Sequence, residues 1–155
     1  MCNLFKLFFT ISCFIVTTHV IAGDNPNFRY LQPEGMSLPK GSYGLGVVIE
    51  PGYRMAFFTG QTGGNADGTY SDDFEVQASN AFAAVNILLR EAGMSWKDVV
   101  NLNVYLTDSN DLPIWARMRD KNIGQSRPAG TGVIVKSLAA TGARVEIQIA
   151  AAQKV

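Results

Sequence analysis

The sequence predicts a single α+β domain, with elements in the order β-β-α-β-α-β-β and a sheet carrying two helices on one face. Three observations predict it. From Phe74 to Ala92 apolar residues recur at helical spacing, and from Val99 to Thr107 apolar and polar residues alternate as in a half-buried strand. Short apolar runs bounded by turn residues stand before the first of these stretches and near the end of the chain. The length of 155 residues suits one domain with an ordinary core.

Residues 1–22 read as a signal peptide that precedes this domain. Lys6 gives the start a positive charge, Leu7 to Val16 carry none, and Val20-Ile21-Ala22 offer small or β-branched residues at a cleavage site. The alternative is an anchor left in place, although the run is short against the roughly 20 apolar residues a spanning helix needs. Cleavage after Ala22 predicts an exported protein, periplasmic or secreted, with no membrane attachment afterwards. It removes Cys2, Cys13 and His19, which are both cysteines and the sole histidine. Disulfides, a cysteine nucleophile, Ser-His-Asp catalysis and His- or Cys-ligated metals are then excluded by inventory, and no cofactor is expected. Acid–base chemistry falls to carboxylates, Tyr, Lys, Arg or water.

The remaining elements follow in order. Residues 23–40, rich in Pro, Asn and Gly, read as an extended lead-in to a domain over 41–155. Leu45 to Ile49 and Met55 to Thr59, separated by Pro51-Gly52, read as a hairpin. Gly60 to Gly68 is a long glycine-rich loop; it lacks the lysine and spacing of a phosphate-binding loop and reads as a flexible turn. Gly41-x-x-Gly44-x-Gly46 precedes a strand instead of following one, so it fails the dinucleotide-binding context. Asp72 and Glu75 have the N-cap and N3 spacing of a capping box at the first helix, and Gly93 stops it. A second helix starts near Asn110-Asp111, with Pro113 in its first turn. Strands over Thr131 to Lys136 and Arg144 to Ala150 close the chain.

Right-handed crossovers place both helices on one face of the sheet. The other face presents Asn101, Asn103, Tyr105, Glu146 and Gln148, too polar for a private core. Another subunit covering that face is expected, hence an oligomer. Charge is balanced, with 13 Lys and Arg against 13 Asp and Glu. No basic stripe appears; Arg117, Arg119 and Lys121 beside Asp120 read as a solvated helix face, and nucleic acid is not an expected partner.

Four stretches, in this order and spacing, resemble the RidA family, the reactive-intermediate deaminases also called YjgF or L-PSP proteins. They are Gly41-Ser42-Tyr43-Gly44-Leu45-Gly46; Phe58-Thr59-Gly60-Gln61; Glu91-Ala92-Gly93 with Trp96-Lys97-Asp98-Val99-Val100; and Arg127-Pro128-Ala129-Gly130-Thr131 with Arg144-Val145-Glu146-Ile147. The resemblance covers about residues 40 to 152. It implies a chorismate-mutase-like fold, a homotrimer with a small-molecule ligand in each inter-subunit cleft, and hydrolysis of 2-imino or enamino acids with release of ammonia. The ribonuclease label sometimes attached to the family gains no support from a chain without a basic patch.

Carried across residue by residue, the resemblance makes Glu146 the water-handling carboxylate and Tyr43, Thr59, Gly60 and Gly132 parts of the cleft. Ser42 stands where the family usually has Pro, and Gln148 where many members have a second Glu. Ala116 is the nearest match to a polar residue the family places on the second helix. The important departure is Gly130, which occupies the position of the arginine that binds the substrate carboxylate as a bidentate pair. Arg127, three residues earlier, is the first candidate to replace that charge, with Arg144 behind it. Two readings stay open: an imine or enamine hydrolase centred on Glu146, and a non-catalytic trimer binding a small ligand or a partner in the same clefts.

Overall fold

A computed structural model of the protein describes residues 28–37, 39 and 41–155. The expected signal peptide and its cleavage point lie outside the described residues. Short strands β1 (Arg29–Tyr30) and β2 (Val47–Val48) pair antiparallel. Then come β3 (Tyr53–Phe57), β4 (Gln61–Thr62), α1 (Phe74–Glu91), β5 (Val99–Leu106), α2 (Leu112–Ile123), β6 (Ala129–Ile134) and β7 (Val145–Lys154). The main sheet runs β3-β7-β5-β6, with β4 also on β7. Among the strands of the described residues, β5 and β6 alone pair in parallel, joined by the α2 crossover. The α+β class and the order of the main elements match the expectation.

Several details differ from it. Val47–Val48 pair with the lead-in strand, and β3 pairs with β7, so the expected hairpin does not form. The reason is the length of β7: at 10 residues it runs past Ala150 and offers β3 a full edge from Tyr53↔Lys154 to Phe57↔Ala150. The glycine-rich loop yields a strand of its own, β4, on the other half of that edge. The cap of α1 is Asp73, whose carboxylate accepts the Glu75 N–H at 2.8 Å; Asp73 is extended (φ −80°, ψ 116°), so helical geometry starts one residue later than the spacing suggests. β6 begins at Ala129, because its first bonds go to a neighbouring loop as well as to β5.

Both helices lie on one face. Ala78, Phe82, Val85 and Leu89 of α1 and Trp115 and Met118 of α2 share a core with Leu102, Val104, Leu106, Val145, Ile147 and Ile149. Phe82 is the centre of an aromatic stack, 5.4 Å from Trp115 and 5.6 Å from Trp96. Buried Gln77 donates to Ser71 and Gly142 carbonyls and accepts the Arg144 N–H at 2.9 Å. Arg144 in turn grips the buried Asp111 through both carboxylate oxygens, at 2.6 and 2.7 Å, and lies over the Phe74 ring. That network ties the start of β7 to the starts of both helices.

On the opposite face, one end is covered by the β1–β2 ribbon, where Phe28, Tyr30 and Val47 pack on Val100 and Ala152. The rest carries Asn103, Tyr105, Glu146 and Gln148, as predicted. Asn101 and Asn103 are less free than the alternation suggests. Asn101 donates to the Ala129 carbonyl at 3.2 Å and Asn103 accepts the Thr131 N–H at 3.2 Å, pinning the edge strand. Met55 and Phe57 share this face through their pairing with Ala152 and Ala150, and Phe57 is 80% exposed.

Candidate functional site

Glu146 sits in β7 opposite Tyr105 of β5 and Thr62 of β4. Gln61 donates through its side chain to the Thr59 carbonyl at 3.1 Å and the Gly60 carbonyl at 3.0 Å, which sets the turn before β4. That turn lays the Gly60 backbone directly on the Glu146 carboxyl group: a Cβ at residue 60 would overlap Oε1, so any larger residue there would displace the carboxylate from its position. Thr59 is exposed beside it. Among the described residues no hydrogen bond or ion pair engages Glu146, and it is half-buried. A carboxylate placed so is available to accept a proton from water or from a ligand.

Tyr43, Gly130 and Gly132 gather elsewhere. They line a pocket of about 630 Å³ between the edge strand β6 and α2. The loop carrying Tyr43 is seated along β6: the Gly44 N–H donates to the Pro128 carbonyl at 3.1 Å, and Gly44 bridges to Ala129. Arg127 donates to the Gly41 carbonyl at 3.2 Å, so it secures this loop and is not among the pocket's lining residues. In register, Gly130 and Gly132 stand opposite Leu102 and Val104, which point to the helix side, whereas Glu146 pairs with Tyr105 on the open side. The chain therefore brings Glu146, Gly60 and Thr59 together, and Tyr43, Gly130 and Gly132 together, but keeps the two groups on different sides of the sheet.

Gly130 is more than a missing side chain. A Cβ at this position would collide with the Leu102 carbonyl, so the close approach of β6 to β5 depends on glycine. Arg144 cannot supply the absent charge, being committed to Asp111.

Arg119 was missed by the sequence reading. Its neighbour Arg117 behaves as the solvated face expected, in an exposed pair with Glu75. Arg119 does not: its side chain is only 15% exposed and, among the described residues, it is the one charged side chain lining the 630 Å³ pocket. Its Nε and Nη2 donate to Asp120 at 2.9 and 2.8 Å. Burial works against ionisation of Asp120, yet hydrogen bonds from Arg119 and Ser42, with the charges of Arg119 and Arg127, hold its carboxyl below the usual range. The spacing from Trp115, four residues earlier on α2, was the available signal, since residues i and i+4 share a helix face. Ala116 also lines the pocket. Among the described residues no group of three or more His, Cys, Asp or Glu converges to hold a metal.

Comparison with known proteins bears on this arrangement. The family model for endoribonuclease L-PSP matches residues 38–153. A RutC family protein of Pyrococcus abyssi is 35% identical over 66 residues, which is 43% of this chain and 52%, about half, of that relative. Among solved structures, YyfB of the conserved Rid protein family from Yersinia pestis superposes with a TM-score of 0.70 at 28% identity, covering 82% of this chain and 99% of that one. RidA from the Antarctic bacterium Psychrobacter sp. PAMC 21119 gives a TM-score of 0.59 at 27% identity over 79% of this chain and 98% of its own. The chain belongs to the endoribonuclease L-PSP family, the Rid family of its structural neighbours.

Proposed function

We propose that this protein is an exported homotrimer that hydrolyses imines or enamines of small molecules in clefts between its subunits, with Glu146 as the catalytic carboxylate. The observation that carries the reading is the Glu146 carboxylate lying against the Gly60 backbone with no partner among the described residues. A purely structural carboxylate this far from full exposure is normally paired.

The chemistry follows from that placement. Water adds to the C=N carbon as Glu146 takes one of its protons and passes it to the nitrogen, giving a carbinolamine with hydroxyl and amine on one carbon. Glu146 then takes the hydroxyl proton and passes it to that nitrogen, the C–N bond breaks, and ammonia leaves as the carbonyl forms. Assembly supplies the rest of the cleft. The Tyr43 group of one subunit faces the Glu146 group of its neighbour, which accounts for two half-sites on different sides of one sheet. The exposed Met55 and Phe57 on the open face support a covering subunit there, since an apolar patch of this kind is characteristic of an interface.

Ammonia release from 2-imino acids generated in situ, from 2-iminobutyrate to 2-iminooctanoate, together with the mass of the protein in solution, tests this reading. A trimer that releases ammonia faster than the buffer reaction, and loses that rate at least about 100-fold in Glu146→Gln, is expected from removal of a general acid–base group. A trimer with no rate above buffer overturns the hydrolase and leaves the ligand-binding reading; a monomer overturns the shared cleft.

A further inference from the structure

We infer that Arg119 anchors the acidic group of a singly charged carboxylate with an apolar tail, bound lengthwise in the pocket between β6 and α2. The walls are apolar: Leu102, Val104 and Leu106 of β5 form one side, and Trp115 and Ile123 of α2 the other. Arg119 stands at one end. A methyl placed on Gly41 would lie 2.8 Å from the Tyr43 ring and 3.6 Å from Arg119 Nη2, so the phenol and guanidinium converge there. Leu112, at the start of α2, and Ile134, at the end of β6, lie at the other end. Seven residues of helix separate Leu112 from Arg119, about 10 Å at about 1.5 Å per residue, which is roughly the length of an eight-carbon chain.

Charge selects the head group. Arg119 and Arg127 both act on Asp120, and among the described residues two guanidiniums around one carboxylate leave one positive charge at that end. Asp120 takes two of the five N–H groups of Arg119, through Nε and Nη2, and the other three remain for a ligand. A monoanion matches the residual charge; a dianion brings one negative charge too many beside Asp120. The pocket volume of about 630 Å³ falls within the range that encloses small organic ligands. The inference draws on the proposed hydrolase only in placing this pocket beside a neighbouring subunit's Glu146, and it implies that the hydrolysed substrates are acids with long or bulky apolar side chains.

Calorimetric titration of the purified protein with octanoate and with uncharged octanamide provides the test, because neither ligand is turned over. Octanoate is expected to bind at least about 10-fold tighter than the amide, as a charge-assisted bond implies. Shortening it to hexanoate should weaken binding about fourfold per methylene. Arg119→Gln should erase the preference for octanoate while octanamide still binds, which also reports an intact pocket; Arg119→Lys should retain part of it. Equal affinity for the two ligands, or a preference that survives in Arg119→Gln, overturns the assignment. Octanoate binding by the wild-type protein without any ammonia release from 2-imino acids would sink the hydrolase and spare the anchor.

Discussion

Beneath the helices, Gln77 and Asp111 are buried and held by several bonds each, whereas on the opposite face of the same sheet Glu146 is half-buried and held by none among the described residues. The difference separates two uses of polar groups. A buried polar atom that is fully satisfied fixes geometry, and it does so where α1, α2 and β7 begin. A carboxylate left without a partner costs some stability and keeps its lone pairs for chemistry. The same contrast divides the two Arg–Asp pairs. Arg144 gives Nη2 to both oxygens of a buried acid and Nη1 to the Asp72 carbonyl, while Arg119 holds an exposed acid and keeps donors over a pocket.

The comparison can be broken most severely at Asp111. Asp111→Ala strands Arg144 and should cost about 3–5 kcal/mol of unfolding free energy in urea titration, the usual loss when one member of a buried pair is removed. Gly130→Arg should come next, at about 1–3 kcal/mol or more, because the new Cβ meets the Leu102 carbonyl and forces β6 away from β5. A variant as stable as the parent would show that the edge strand yields readily. Glu146→Gln sharpens the contrast from the other side. With no partner to lose, it should change stability by less than about 0.5 kcal/mol while abolishing turnover. The smallest effect is expected at Asp120. Its carboxyl is held below the usual range in the folded protein, so its contribution is complete above about pH 4 and fades as acid protonates the folded form. For a pair half-exposed on the acid side this amounts to within about 1 kcal/mol, seen as a difference between wild type and Asp120→Asn that vanishes at low pH.

Periodicity made the central elements legible. Phe74 to Glu91 and Val99 to Leu106 carry enough apolar residues at one spacing to identify type, length and inward face. Short runs were not legible in the same way. Val47–Val48 had two potential partners, and the outcome turned on β7 extending to Lys154, which the local sequence Ala150-Ala151-Ala152 does not announce. At the site, Glu146 and Gly60 were named from motifs, and their contact could be found only by folding β4 onto β7. Arg119 was hidden by its surroundings: it sits between Met118 and Asp120 in a charged run, and linear neighbours say little about which side of α2 faces β6.

The separation of Tyr43 from Glu146 across the sheet has a kinetic consequence. No loop movement within one chain can pass a residue through a hydrogen-bonded sheet, so a lone protomer cannot complete the proposed site. Under that assembly the catalyst exists only while subunits are associated, and specific activity falls on dilution, so the local concentration of the protein would itself regulate its activity.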